Sequence, residues 1–283
     1  MGSWASSREV TRKSWAVLKE NRYLLAFPVL SFVLGLIPVA VLGIPALYFL
    51  ATNHNWIALV LGILLVFAAS AVAVVLQGGL VAAVDAEMSG EDSSVGQGLR
   101  RAMQHLGALI AWSAVVTVVS VLLGLVRGNG QGNVVGVLLR SVLAAAADVM
   151  WQLVTFFVVP FIVLEGASPI SAVKSSASLF KQRWGQQLAG GVRIGALIGL
   201  VLILPGILLL VGGILLALLG SAAAIASGAS LAVIGLVLLL IGIVISSAMR
   251  SVFSVALYRY AKDGVASAGF TTQELQDAVR IKG

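Results

Sequence analysis

Six times along its 283 residues the chain runs through an almost unbroken apolar stretch, and that pattern constrains the fold more than anything else in it. The stretches are roughly Tyr23–Leu50, Trp56–Val84, Leu106–Val126, Val134–Leu164, Leu188–Leu219 and Leu231–Tyr258. A helix of about 20 apolar residues rises far enough to cross the hydrocarbon core of a bilayer, and each stretch reaches that length. Several are longer than 25 residues, which predicts tilted, kinked or protruding spans. The expected fold is all-α, a polytopic membrane bundle of about six transmembrane helices.

Composition supports this reading. Only 10% of the residues are charged, against about 25% in a soluble domain, so most of the surface must face something other than water. The expected layout is one transmembrane domain over 1–283. It comprises an amphipathic helix over 1–22, the bundle over 23–260 and a tail over 261–283. The first apolar stretch is about 28 residues long and lacks a small-residue cleavage site, so it reads as a retained span rather than a signal peptide.

Lys and Arg set the expected orientation. Sixteen of the 18 fall in the N-terminal segment, the second and fourth connections and the C-terminal side. Arg127 and Arg140 fall opposite, and the connections ATNHNW and SAAAIASGAS hold none. The positive-inside rule then puts both termini in the cytoplasm, with the protein in the inner (plasma) membrane. Basic residues flanking apolar runs are topology signals. A contiguous basic face with aromatics, as nucleic acid would require, is absent, and no nucleic-acid partner is expected.

Three polar, basic, helix-compatible segments each lead into a pair of apolar stretches: SSREVTRKSWAVLKENR, SSVGQGLRRAMQHL and SPISAVKSSASLFKQRWGQQ. The first and third align without gaps, Ser14 with Ser176 and Lys19 with Lys181. The expected architecture is three helical-hairpin repeats, each introduced by an amphipathic helix along the membrane interface. Lys174, Lys181 and Arg183 are then candidate contacts for anionic headgroups, with ordinary amphipathic connectors as the plainer reading.

Several polar residues fall within or at the ends of the apolar stretches. Asp148 is costly at membrane depth unless paired, protonated or facing water. Its expected partner is Arg140 or Arg127, and it reads either as an ion, proton or ligand site or as a salt-bridged boundary residue. Gln77 is a further candidate. Asp85, Glu165, Arg193 and Arg250 stand near the inner ends of four stretches and are expected to form a charge network there. Pro28, Pro38, Pro45, Pro160 and Pro205 interrupt the spans, and carbonyls freed by them could meet a cation or a ligand hydroxyl. Gly191, Gly195 and Gly199 form a small-residue stripe suited to internal packing or to dimerisation. The tail TTQELQDAVRIKG carries a Thr cap before a short helix-compatible run, a candidate docking helix.

Catalytic signals are sparse. With no cysteine, thiol nucleophiles and Cys-ligated metals are excluded. His54 and His105 lie far apart, and no HExxH, GxSxG or P-loop pattern is present. The expectation is a protein that is not an enzyme, with no cofactor and no metal.

The stretch VVPFIVLEGASPISAVKSSASLF, with SWAVLKENRYLLAFP near the start and ALYRYAKDG near the end, resembles an uncharacterised family of six-span membrane proteins, a domain of unknown function, of actinobacteria and archaea. More loosely, the chain is similar to the membrane domain fused to some glycerophosphodiester phosphodiesterases. The resemblance marks Pro160, Glu165, Lys174, Ser176, Tyr258, Arg259 and Tyr260 as family-typical. It implies no activity, and the hydrolytic function is not carried over. The functional expectation is lipid or amphiphile binding or transport, with membrane lipids, anionic headgroups above all, as partners. The alternatives are an assembly subunit with a membrane-protein partner or a second copy, and an ion-coupled small-solute transporter or channel.

Overall fold

A computed structural model describes residues 2–127, 147–148, 150–184, 203–264 and 270–272. All regular structure among the described residues is helical, as the apolar stretches require. Helix α1 (Gly2–Glu20) passes through a 3-10 turn (Arg22–Leu25) into α2 (Ala26–Pro38) and α3 (Ile44–Ala51). The long α4 (Asn55–Met88) returns, followed by the short α5 (Val95–Gln104) and by α6 (Leu106–Arg127). After them come α7 (Val158–Glu165), α8 (Pro169–Trp184), α9 (Leu204–Ala217) and α10 (Ala222–Asp263).

Among the described residues four segments are long and apolar enough to cross a membrane: Arg22–Ala51, Asn55–Met88, Leu106–Leu125 and Ala222–Asp263. Two shorter apolar helices, Met150–Glu165 and Leu204–Ala217, fall on the fourth and fifth expected spans, whose other residues lie outside the described set. One boundary differs from expectation. The last helix begins at Ala222 rather than near Leu231, so most of SAAAIASGAS is helix. Gly220, at φ +79°, makes the turn, and Ser221 caps α10 by accepting from the Ala224 N–H at 3.2 Å.

Each proline break has a local cause. Pro28, Pro45 and Pro205 sit in the first turns of α2, α3 and α9, the part of a helix that tolerates proline best. Pro45 still cannot serve the Val41 carbonyl four residues back. The chain widens into a π turn over Val39–Gly43, closed by the Ile44 N–H on the Val39 carbonyl. Pro38 lies inside α2, immediately before that turn.

Burial divides the long helices into two halves. Residues 29–51, 55–73 and 222–247 carry most of the exposed large apolar side chains, among them Leu47, Trp56 and Val233. These lengths correspond to roughly 30–40 Å of helix, about one hydrocarbon core. Beyond them the same helices are buried: Leu24 and Phe27, then Leu80 to Val84, then Val252 to Leu257. The spans therefore outrun the exposed apolar band, and their excess length forms a compact core at one end.

That end is the basic one, because α1, α5 and α8 pack there. Each presents a matching pair of buried positions four residues apart: Ser14 and Leu18, Gly98 and Ala102, Ser176 and Phe180. Four residues is one helical turn, so each pair faces inward together. Lys19 and Lys181 are exposed, as are Lys174 and Arg100. On α5 the contact is so close that a methyl at Gly98 would lie 2.5 Å from the Gly79 carbonyl oxygen.

At the opposite end α9 and α10 form a hairpin closed by glycine. A methyl at Gly213 would stand 2.5 Å from the Gly228 carbonyl, and one at Gly235 would collide with the Leu210 backbone. Glycines seven residues apart stay on one helix face, and here two such rows meet. The stripe Gly191, Gly195 and Gly199 lies outside the described residues.

Candidate functional site

A layer of polar contacts ties the basic end together. Asp85 on α4 is approached from both sides, by Arg259 of α10 (Nε to Oδ1, 3.4 Å) and Arg101 of α5 (Nη1 to Oδ2, 3.8 Å). Arg259 also donates to Ser89 Oγ at 2.6 Å. The Tyr23 hydroxyl donates to Glu87 Oε1 at 2.6 Å and pins the start of the first span to the end of α4. At the end of α7, Glu165 accepts from the Tyr258 hydroxyl and from Lys262 Nζ, the latter at 2.7 Å. Gly166 then turns the chain at φ +66°, a conformation an L side chain rarely adopts.

The expected inner-end charge network thus forms with a different membership. Asp85 and Glu165 stand in the layer, paired with Arg259, Arg101, Tyr258 and Lys262. Arg193 lies outside the described residues. Arg250 does not join, because α10 continues for 13 residues past it and Arg259 is the residue level with Asp85.

A second polar cluster surrounds the break at Phe156–Phe157. A proline at 160 cannot donate to the Phe156 carbonyl and its ring crowds it, so the helix is interrupted there. Two serines from other helices take up the freed backbone. Ser254 Oγ of α10 donates to the Phe156 carbonyl at 3.0 Å, and Ser176 Oγ of α8 accepts from the Phe157 N–H at 3.2 Å. Phe180, Phe253 and Tyr258 pack their rings around the break at centroid distances of 5.2–6.2 Å. The carbonyl at Pro160 is therefore occupied within the protein rather than offered to a cation. Ser254 went unread in the sequence. An apolar run containing SxxS gives a weak signal until Pro160 is known to lie opposite it.

Between α2, α4 and α10 lies a cavity of about 440 Å³. Its lining mixes apolar side chains, among them Phe27, Leu76, Leu80 and Ile243, with polar residues, among them Gln77, Ser246 and Arg250. Gln77 precedes Asp85 by eight residues and Arg250 precedes Arg259 by nine, about 12–14 Å of helix in each case. Because Asp85 and Arg259 are paired and α4 and α10 run in the same direction, Gln77 and Arg250 come to one level. That level is the boundary between the exposed apolar band and the buried basic end.

Two features of this cavity stand out. Among the described residues no acidic side chain pairs with Arg250. Arg250 is exposed at that boundary, where an arginine costs less than the about 2.5–3.5 kcal/mol it would carry at a helix centre in hydrocarbon. Ser246 Oγ is inaccessible and has no hydrogen-bond partner among the described residues. Such a group represents about 1–3 kcal/mol of desolvation left uncompensated.

The other candidates distribute as follows. Asp148 is half-buried in a helical turn and does not line the cavity, while Arg140 lies outside the described residues. Lys174 and Lys181 project from α8, exposed, and the side chain of Arg183 lies outside the described set. Among the described residues no group of three or more His, Cys, Asp or Glu could hold a metal ion. Beyond residue 272 the tail lies outside the described residues.

Fold and site together define a class: an all-helical bundle with spans of membrane-crossing length, a charged layer at one end and an amphipathic cavity just above it. The chain belongs to DUF6159, a family of unknown function whose model matches residues 56–270, more than half its length. This agrees with the expected uncharacterised family, and it leaves α1 to α3 outside the matched segment. No curated protein and no solved structure matches the chain.

Proposed function

We propose that this chain is a non-enzymatic protein of the inner membrane, with its basic end in the cytoplasm, that binds or carries a lipid or another amphiphile. The observation that carries the reading is the cavity between α2, α4 and α10, lined by apolar and polar side chains together. An amphiphile combines the same two chemistries. The cavity stands at the level where exposed apolar helix gives way to buried core, and a headgroup and a tail part at such a level in a bilayer. The three interfacial helices, with Lys174 and Lys181 outward, add attraction for anionic lipid around the basic end.

Native mass spectrometry of the full chain, extracted gently from its own membrane, tests the proposal. A discrete adduct of one lipid class, retained under activation that strips bulk lipid, is the expected result. A bare monomer would overturn it. A co-released protein of fixed stoichiometry with no lipid would move the weight to an assembly subunit. Flux of ions lost on D148N would point instead to a transporter coupled at Asp148.

A further inference from the structure

We infer that the cavity beside Arg250 takes the anionic headgroup, a phosphate or a carboxylate, of an amphiphile whose tail lies along the apolar side chains of its lining. The inference rests on the amphiphile reading above and names the chemistry of its ligand.

The residues supply the pieces separately. A guanidinium presents its N–H donors in a planar fork that matches two oxygens of a phosphate or carboxylate. That of Arg250 has no carboxylate partner among the described residues, so its charge is available to a ligand. Gln77, which also lines the cavity, can donate two hydrogen bonds from its amide. Phe27 and Leu80 are apolar lining along which the first methylenes would lie.

Selectivity follows from what lines the site. Its polar side chains are Arg, Gln and Ser, with no Asp or Glu. A zwitterionic headgroup would bring its phosphate to Arg250 but would find no carboxylate for its ammonium, whereas a net anionic headgroup leaves nothing unpaired. An arginine that merely stretched toward bulk headgroups would have no such preference, since every phospholipid offers it a phosphate. The volume, about 440 Å³, lies within the range of small-molecule sites, about 300–1,000 Å³.

The test uses the purified full chain in nanodiscs of equal phosphatidylglycerol and phosphatidylcholine, with retained lipids identified after release into the mass spectrometer. Wild type is expected to keep phosphatidylglycerol over phosphatidylcholine by roughly 10-fold, about 1.4 kcal/mol, because the choline cation would stand near Arg250 with no carboxylate beside it. R250Q is expected to abolish the preference, R250K to keep part of it, and Q77L to weaken it several-fold. Should R250Q fail to fold, R250K and Q77L carry the test. Equal retention of both lipids by wild type, or an unchanged preference in the variants, would overturn the inference and leave the amphiphile reading standing. Loss of all adducts from wild type would remove both. Inorganic phosphate is expected not to displace the lipid. Displacement by phosphate alone would assign the site to a free anion and overturn the part played by the tail.

Discussion

At the scale of single residues, the break in the fourth span shows how a membrane protein accommodates a proline. Backbone polar groups freed within a dry interior must find partners, and here they find Ser254 and Ser176. S254A is expected to lower the unfolding free energy in detergent by about 1–3 kcal/mol, because the Phe156 carbonyl would be left unpaired. In a P160A background the same change is expected to cost less, since an alanine N–H can reach that carbonyl and let the helix run on. Denaturant unfolding of both single variants and the double variant would measure the coupling, and purely additive effects would contradict this account. Pro160 was legible from sequence as a helix breaker, and Ser176 as its alignment partner of Ser14. That Ser254 answers it was not legible, because a hydroxyl 98 residues away gives no local sign of its partner.

At the scale of elements, the three basic lead segments prove alike in how they pack. Each buries a pair of positions one turn apart while Lys19, Arg100, Lys174 and Lys181 stay outside, the arrangement a half-buried amphipathic helix requires. The glycines separate into those that a close approach requires and those that it does not. Gly213 faces the α10 backbone, whereas nothing lies within 4 Å of where a side chain at Gly212 would begin. G213L is therefore expected to destabilise the protein by about 1–3 kcal/mol or more through overpacking. G212L, by the same thermal melt, is expected to be neutral or slightly stabilising, because leucine is the better helix former. Equal effects at the two positions would argue that the hairpin is not closed by glycine contact. The glycine rows on α9 and α10 went unread in the sequence, where the stripe singled out was Gly191, Gly195 and Gly199. Glycines seven residues apart in an apolar run give no local sign of the helix they face.

At the scale of the whole molecule, the spans extend past the exposed apolar band and knit into a core at the basic end. If the positive-inside reading holds, that end lies in the cytoplasm. The natural chain has no cysteine, so single-cysteine labelling is clean. In intact cells a membrane-impermeant maleimide is expected to label H54C, in the connection between α3 and α4, and to spare D92C, in the connection before α5. The reverse pattern would invert the topology. The sequence by itself determined the helical class, the first approximation to the spans, the basic end and the repeated lead helices. These follow from hydropathy and charge, which act residue by residue against solvent and need no knowledge of neighbours. Only the tertiary structure decided that Asp85 pairs with Arg259 and not with Arg250, that Ser254 completes the break at Pro160, and that Gln77 and Arg250 meet across one cavity. Each of these depends on the relative height and rotation of helices far apart in the chain. Those are fixed by packing over the whole bundle, which no local pattern records.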